Sequence, residues 1–264
     1  MSANSIPEDP MNVPAAWLLV MTATVHPSPQ AGVRRADPAL RTADYERALR
    51  FWLAETHPCA ARILFLENSG ADLASLKAIA EQENSGKKPV EFLSIPGNRI
   101  PKGLNYGYTE MELLDSGLEL SELRRVTTHM VKTTGRLVFP ALGRALDCLP
   151  GPPELMIDCR RFPWPRRGAD ARVQLFACSH AFYDSHLRDC CRRMNTSDLR
   201  LLEQLLYAQV IGSLGQPGVY LRFPCNVDPV GYSGFRARSY QSFGQRIDQS
   251  LRGALRRLAP SVWY

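Results

Sequence analysis

Two rhythms of apolar and polar positions alternate through the first hundred residues. WLLVMTATV (17–25) is continuously apolar, as expected of a strand covered on both faces, and the prolines of HPSP stop it. TADYERALRFWLAET (42–56) then places Tyr45, Leu49, Trp52 and Leu53 at helical spacing behind a capping threonine or aspartate. ARILFLENSG (61–70) reads as a second strand, ADLASLKAIAEQEN (71–84) as a second helix and PVEFLSIPG (89–97) as a third strand. Strand, helix, strand, helix, strand with short connections predicts a right-handed parallel sheet of the nucleotide-binding kind.

The pattern continues with a helix over NYGYTEMELLDSGLELSELRRV (105–126), whose first turn holds Glu110 and Glu112, and a strand at THMVKTT (128–134). A helix is expected around 140–149, strands at ELMIDCRRF (154–162) and ARVQLFACS (171–179), and helices over 179–191 and 197–214. From Gly218 the chain reads as irregular until a basic amphipathic helix near QRIDQSLRGALRRLAP, where Ile247, Leu251, Leu255 and Leu258 recur at steps of three and four among Arg246, Arg252, Arg256 and Arg257. Such a helix either packs on its own domain or rests on an anionic membrane. The expected organisation is a tail over 1–14 and one domain over 15–264. Within it, 15–140 form a nucleotide-binding part, 141–243 an acceptor-side part and 244–264 the basic helix.

Composition narrows this only slightly. The 264 residues can bury a substantial core, and 45% hydrophobic with 22% charged residues excludes wholesale disorder. A net charge of +6, carried mostly by arginine, suits phosphate. The basic residues are spread instead of clustered with aromatic platforms, so nucleic acid is not an expected partner. Seven cysteines show no CxxC pair or zinc spacing and read as buried thiols in a reducing compartment. The opening segment lacks a basic leader and the first apolar run is too short for a membrane span, which makes a cytoplasmic location the expectation.

Ligands of open parallel sheets bind beyond the carboxyl ends of the strands. The residues to inspect are therefore Thr24 and His26 after the first strand, Glu67, Asn68 and Ser69 after the second, Lys132 to Arg136 after the fourth, and Asp158, Arg160 and Arg161 on the fifth. Glu67 and Asn68 have the groups to bond a base or ribose, or to cap the next helix. Lys132 and Arg136 flank Gly135; they either meet a diphosphate, with the glycine admitting close backbone approach, or decorate a solvated turn. No GxGxxG follows the first strand, which disfavours a dinucleotide-binding enzyme and a methyltransferase.

The ordered series ILFLENSG, KGLNYGYTEMELLDSGLELS, VKTTGRLVFP, VQLFACSHAFYDSHL and VGYSGFRARSY resembles bacterial glycosyltransferase-like proteins of the GT-A type associated with surface-polysaccharide synthesis. The resemblance spans about 17–240 and rests on an ENS after the second strand, a KGxGYGE-like segment and a KxTGR strand end. It implies an α/β, GT-A-like single domain with a mostly parallel, Rossmann-like sheet. It further implies that Glu67, Asn68 and Ser69 lie near a donor nucleotide and that Lys132, Thr134, Gly135 and Arg136 border its sugar-phosphate. Lys102 and Gly103 match the KG element, Glu110 matches the GE glutamate with Thr109 in place of a small residue, and Ser233 and Gly234 match a turn that closes on the site.

GT-A enzymes commonly hold a divalent cation on an Asp-x-Asp, whereas this chain has TTGR at that place and no DxD anywhere. The expectation is therefore that no metal cofactor is needed, with lysine and arginine neutralising the leaving diphosphate. The implied activity is sugar transfer from a nucleotide-sugar to a saccharide or lipid-linked acceptor; the alternative is a non-catalytic nucleotide-binding assembly protein of a polysaccharide pathway. For the base that takes the acceptor proton, Glu110 and Asp158 are the candidates, ahead of His180 and Asp184. Peripheral contact at the inner membrane face through the last helix completes the expectation.

Overall fold

A computed structural model describes residues 16–161, 168–194 and 201–258. The expected tail over 1–14 lies outside the described residues, as do the ends of the helices read at 197–214 and 245–260. Seven strands form one sheet in the order β3-β2-β1-β4-β6-β5-β7. They are β1 (Trp17–Ala23), β2 (Ile63–Glu67), β3 (Val90–Ser94), β4 (His129–Thr134), β5 (Leu155–Arg161), β6 (Ala169–Ser179) and β7 (Val219–Tyr220). Only β6 runs against its neighbours; the other pairings are parallel. This is the α/β arrangement with a mostly parallel sheet that the alternation of strands and helices predicts.

The continuous apolar run of β1 is explained by two cores. All its residues are buried, with Leu19 and Met21 facing the helices α1 (Pro38–Ala54), α2 (Ala74–Gln82) and α5 (Leu142–Asp147). Leu18 and Val20 face α3 (Tyr106–Leu120) and α7 (Leu202–Val210). Leu19 sits in register with Ile63 on one side and Val131 on the other, so the three central strands contribute to both layers together. Truncating a side chain such as Leu64 to Ala would cost about 2–5 kcal/mol.

The elements depart from the sequence pattern where a local hydrogen bond decides. α1 starts four residues early because Asp37 accepts from the amides of Ala39 (2.8 Å) and Leu40 (3.1 Å), with Pro38 at the first helical position. The helix read at 105–126 breaks at Ser121, whose hydroxyl caps the short α4 (Glu122–Arg125) and bonds Glu91 at 2.6 Å. The helix read at 179–191 is a single turn, α6 (His180–Phe182), continued as a π turn (Tyr183–Leu187) and, after a break, a 3-10 turn (Cys190–Arg193). The two-residue β7 falls in a stretch read as irregular. Of the thiols, Cys59, Cys159, Cys178, Cys190 and Cys191 are buried as expected, whereas Cys148 is exposed and Cys225 half-buried. The last helix, α8, spans Phe243–Leu258.

Candidate active site at the carboxyl edge of the sheet

Because β1, β2 and β4 are parallel, their carboxyl ends meet on one edge, and the antiparallel β6 brings Val173 and Gln174 to the same place. A cleft, partly open to solvent, lies there. Thr22 and Thr24 floor it from β1, Asn68 from β2 and Thr134 with Arg136 from β4. Tyr106, Thr109 and Glu110 enter from the start of α3, Glu203 from the start of α7, and Gly234 with Phe235 from the long segment before α8.

Glu110 organises the floor. Its Oε1 accepts from Lys132 Nζ at 2.6 Å, Thr22 Oγ1 at 2.9 Å and Thr134 Oγ1 at 3.3 Å. Its side chain is 15% exposed, against 1% for Lys132. Burial works to raise the Glu110 carboxyl, but the adjacent Lys132 ammonium, the hydrogen bonds and Arg136 bring it below the ordinary glutamate range. Lys132 also donates to the Val173 carbonyl at 2.7 Å. It therefore stands beneath Glu110 instead of beside Arg136, and its charge reaches the cleft through the carboxylate.

Arg136 does line the cleft. Its Nε donates to the Tyr232 carbonyl at 3.1 Å, and the guanidinium lies so close to Gly234 that a Cβ there would come within 2.8 Å of Nη2. The Ser233–Gly234 turn thus packs directly against the cation. Gly135 has a different neighbour from the one its sequence position suggested: a Cβ would meet the Thr22 carbonyl at 2.8 Å, and its amide bonds that same oxygen at 2.8 Å. The close approach is to β1, and the glycine is explained by the sheet.

The ENS residues separate in role. Glu67 is fully buried and accepts from the backbone amides of Val25 (3.0 Å), Ser69 (2.9 Å) and Ala71 (3.2 Å), stitching the loops after β1 and β2 together. Ser69 bonds Glu67 and accepts from the His26 amide at 3.0 Å. Asn68 faces the cleft, its Oδ1 accepting from Thr24 Oγ1 at 2.7 Å. Lys102 and Gly103 lie in an exposed turn before α3 and are not among the cleft-lining residues.

Asp158 stands apart. Its carboxylate pairs with Arg256 of α8 and, at 3.8 Å, with Arg160, and only 2% of its side chain is exposed. It belongs to a separate pocket with Arg172, Arg252 and Asn226. His180 and Asp184 are at the opposite end of the sheet: His180 contacts Thr127 Oγ1 at 2.9 Å, and Asp184 pairs with Arg124 and Arg188.

Arg41, Tyr45, Glu203 and Gln174 are among the cleft residues that the sequence reading did not place there. Arg41 donates to the carbonyls of Thr24 and Arg35 and to the Tyr45 hydroxyl, while the Thr24 amide donates to Tyr45 Oη at 2.9 Å. Their signal was present, since Arg41 and Asp44 recur in phase with the buried stripe Tyr45, Ala48 and Leu49. Glu203 and Gln174 had no such signal. Burial and then the charge of Glu110 push the Glu203 carboxyl up, and Gln174 Nε2 donates to Tyr240 Oη at 2.7 Å.

Among the described residues no group of three or more histidine, cysteine, aspartate or glutamate side chains converges. One of the two cleft carboxylates has an oxygen engaged by Lys132, and a guanidinium occupies the turn after β4.

No protein-family model matches the sequence, and no curated protein matches it. Three solved structures are similar to the fold. A mannosyltransferase from Pyrobaculum calidifontis, in complex with GDP-Man and Mn2+, is 11% identical over 96% of this chain and 68% of its own, with a TM-score of 0.47. The inositol-1-phosphate CTP transferase from T. maritima is 10% identical over 76% of this chain and 84% of its own, at 0.43. A cytidylyltransferase from Leptospira borgpetersenii is 11% identical over 95% and 97%, also at 0.43. Likenesses this distant assign no activity.

Proposed function

We propose that the cleft binds a nucleotide-sugar and transfers its sugar to an acceptor hydroxyl. The observation that carries this reading is the convergence, at the open edge of a GT-A-like sheet, of a cation and two carboxylates with opposed proton affinities: Arg136, Glu110 and Glu203. Asn68 and Thr24 offer hydrogen-bonding groups for the nucleoside, and Arg136 meets the diphosphate.

In the proposed step the acceptor oxygen attacks the anomeric carbon as the bond from that carbon to the diphosphate oxygen breaks. The acceptor proton passes to Glu203, whose proton affinity burial raises above that of Glu110 and which is therefore the better base of the two, and the nucleoside diphosphate leaves with its charge against Arg136. Glu110, held ionised with Oε1 engaged, presents its second oxygen to donor or acceptor hydroxyls. No step is routed through a metal.

The test is a thermal-shift screen against nucleotides and nucleotide-sugars with and without EDTA, followed by donor turnover assays. A nucleoside diphosphate or nucleotide-sugar is expected to raise the melting temperature in EDTA, and Arg136→Ala to abolish the rise. No shift with any nucleotide would overturn the reading. A shift without turnover for any acceptor would instead favour the non-catalytic, nucleotide-binding assembly protein.

A further inference from the structure

α8 is amphipathic in the inverted sense: its polar side faces the protein. Arg256 bonds the Phe223 carbonyl at 2.8 Å and the buried Asp158, and the Gln249 carbonyl accepts from Asn226 Nδ2 at 3.1 Å. Gly253 seats the Asn226 amide so tightly that a Cβ would approach it to 2.6 Å. On the roughly opposite side of the helix, Phe243 is 80% exposed, Ile247 54%, Leu251 51% and Leu258 84%. A helix whose apolar stripe served the core would show the reverse.

The chemistry of the segment identifies what covers the stripe. Residues 235–258 hold six arginines against one aspartate, a net of +5 in a chain whose total is +6. Arg236 and Arg238, just before the helix, are exposed. Half of the twelve exposed large hydrophobic residues described fall at or beyond Tyr232. Exposed apolar side chains beside exposed arginines match an anionic lipid surface, whose acyl boundary takes the stripe while its head groups take Arg236 and Arg238. Among the described residues no helix is long and apolar enough to cross a membrane, so the contact lies in the plane of the interface.

We infer that α8, with the exposed arginines before it, docks the protein on the surface of an anionic lipid bilayer through Phe243, Ile247, Leu251 and Leu258. The contact does not depend on the proposed reaction. One consequence does rest on it: Phe235, 56% exposed in the same segment, also lines the cleft, so docking would bring a lipid-linked acceptor to the cleft mouth.

The experiment is flotation of the full chain with vesicles of phosphatidylethanolamine and phosphatidylglycerol, against vesicles of phosphatidylcholine, with light scattering of the free protein alongside. Binding is expected to the anionic vesicles, to weaken as salt rises, and to fall on the order of tenfold or more for Ile247→Glu combined with Leu251→Glu. Phe243→Ala, at the 80% exposed first position of the stripe, should weaken it in the same direction with an unchanged melting temperature. The nucleotide response of both variants should match the wild type, which keeps failure here separate from failure of the reaction. Absence of flotation with anionic vesicles at low salt, or a dimer in solution that the same substitutions split, would overturn the inference.

Discussion

Glu110 and Asp158 are two carboxylates that each hold a cation, yet they differ in what remains of them. Asp158 lies between Arg256 and Arg160 with almost nothing exposed, and its partners tie α8 to the sheet. Glu110 places one oxygen on a wholly buried lysine and two threonines and keeps part of its side chain in the cleft. An ion pair is common to both. The open oxygen separates a carboxylate that can meet a substrate from one that locks a helix.

The comparison breaks most sharply on turnover. Glu203→Gln is expected to lower kcat by about 10²–10⁴-fold, and Glu110→Gln to lower it by about 10²–10³-fold, whereas Asp158→Asn should leave it within a few-fold. Steady-state kinetics with whichever donor raises the melting temperature measures all three. The wild-type rate should climb with pH through the raised range of Glu203, because the step needs that carboxyl deprotonated; a pH profile unchanged in Glu203→Asp would reassign the base.

Stability should respond to both carboxylates alike. Glu110→Gln leaves the Lys132 ammonium buried without its counter-charge and Asp158→Asn does the same to Arg256, each costing about 3–5 kcal/mol in urea unfolding. Combining Glu110→Gln with Lys132→Met should recover much of the loss without restoring turnover.

The two glycines beside these groups sharpen the same contrast by smaller amounts. Gly135→Ala forces a methyl group toward the Thr22 carbonyl and should destabilise by about 1–3 kcal/mol. Gly234→Ala meets the movable end of Arg136 and should weaken nucleotide binding more than it lowers the melting temperature.

The last effect lies outside both groups and is seen only in acid. Burial first, and then Arg124, push His180 down to about 4. The unfolded chain therefore binds a proton that the folded chain refuses between about 6.5 and that value, so stability falls as pH drops through this window. His180→Asn should flatten that part of the stability curve.

Much of the architecture was legible from local pattern because a strand buried on both faces must be continuously apolar, as 17–21 and 63–66 are, and a helix on such a sheet must show a stripe, as Tyr45, Leu49 and Trp52 do. The site was legible by position: Thr24, Asn68, Glu110, Thr134 and Arg136 follow strands or open a helix and do meet in one cleft. Lys132 was legible as a cation but not as a buried one, since its partner Glu110 is 22 residues away. Glu203 carried no signal, because nothing in its neighbourhood along the chain tells which element α7 packs against.

The sequence by itself determined the alternation of strands and helices, the positive charge gathered near the carboxyl terminus and the identity of the groups able to meet a phosphate. Only the tertiary structure decided that Lys132 supports Glu110, that Gly135 makes room for a strand, that Asp158 holds α8, and that α8 turns its apolar side outward. The physical reason is that periodicity and composition report how each segment divides between water and core. The partner of a buried charge, and the side on which a helix docks, depend on groups that only folding brings within a few ångströms.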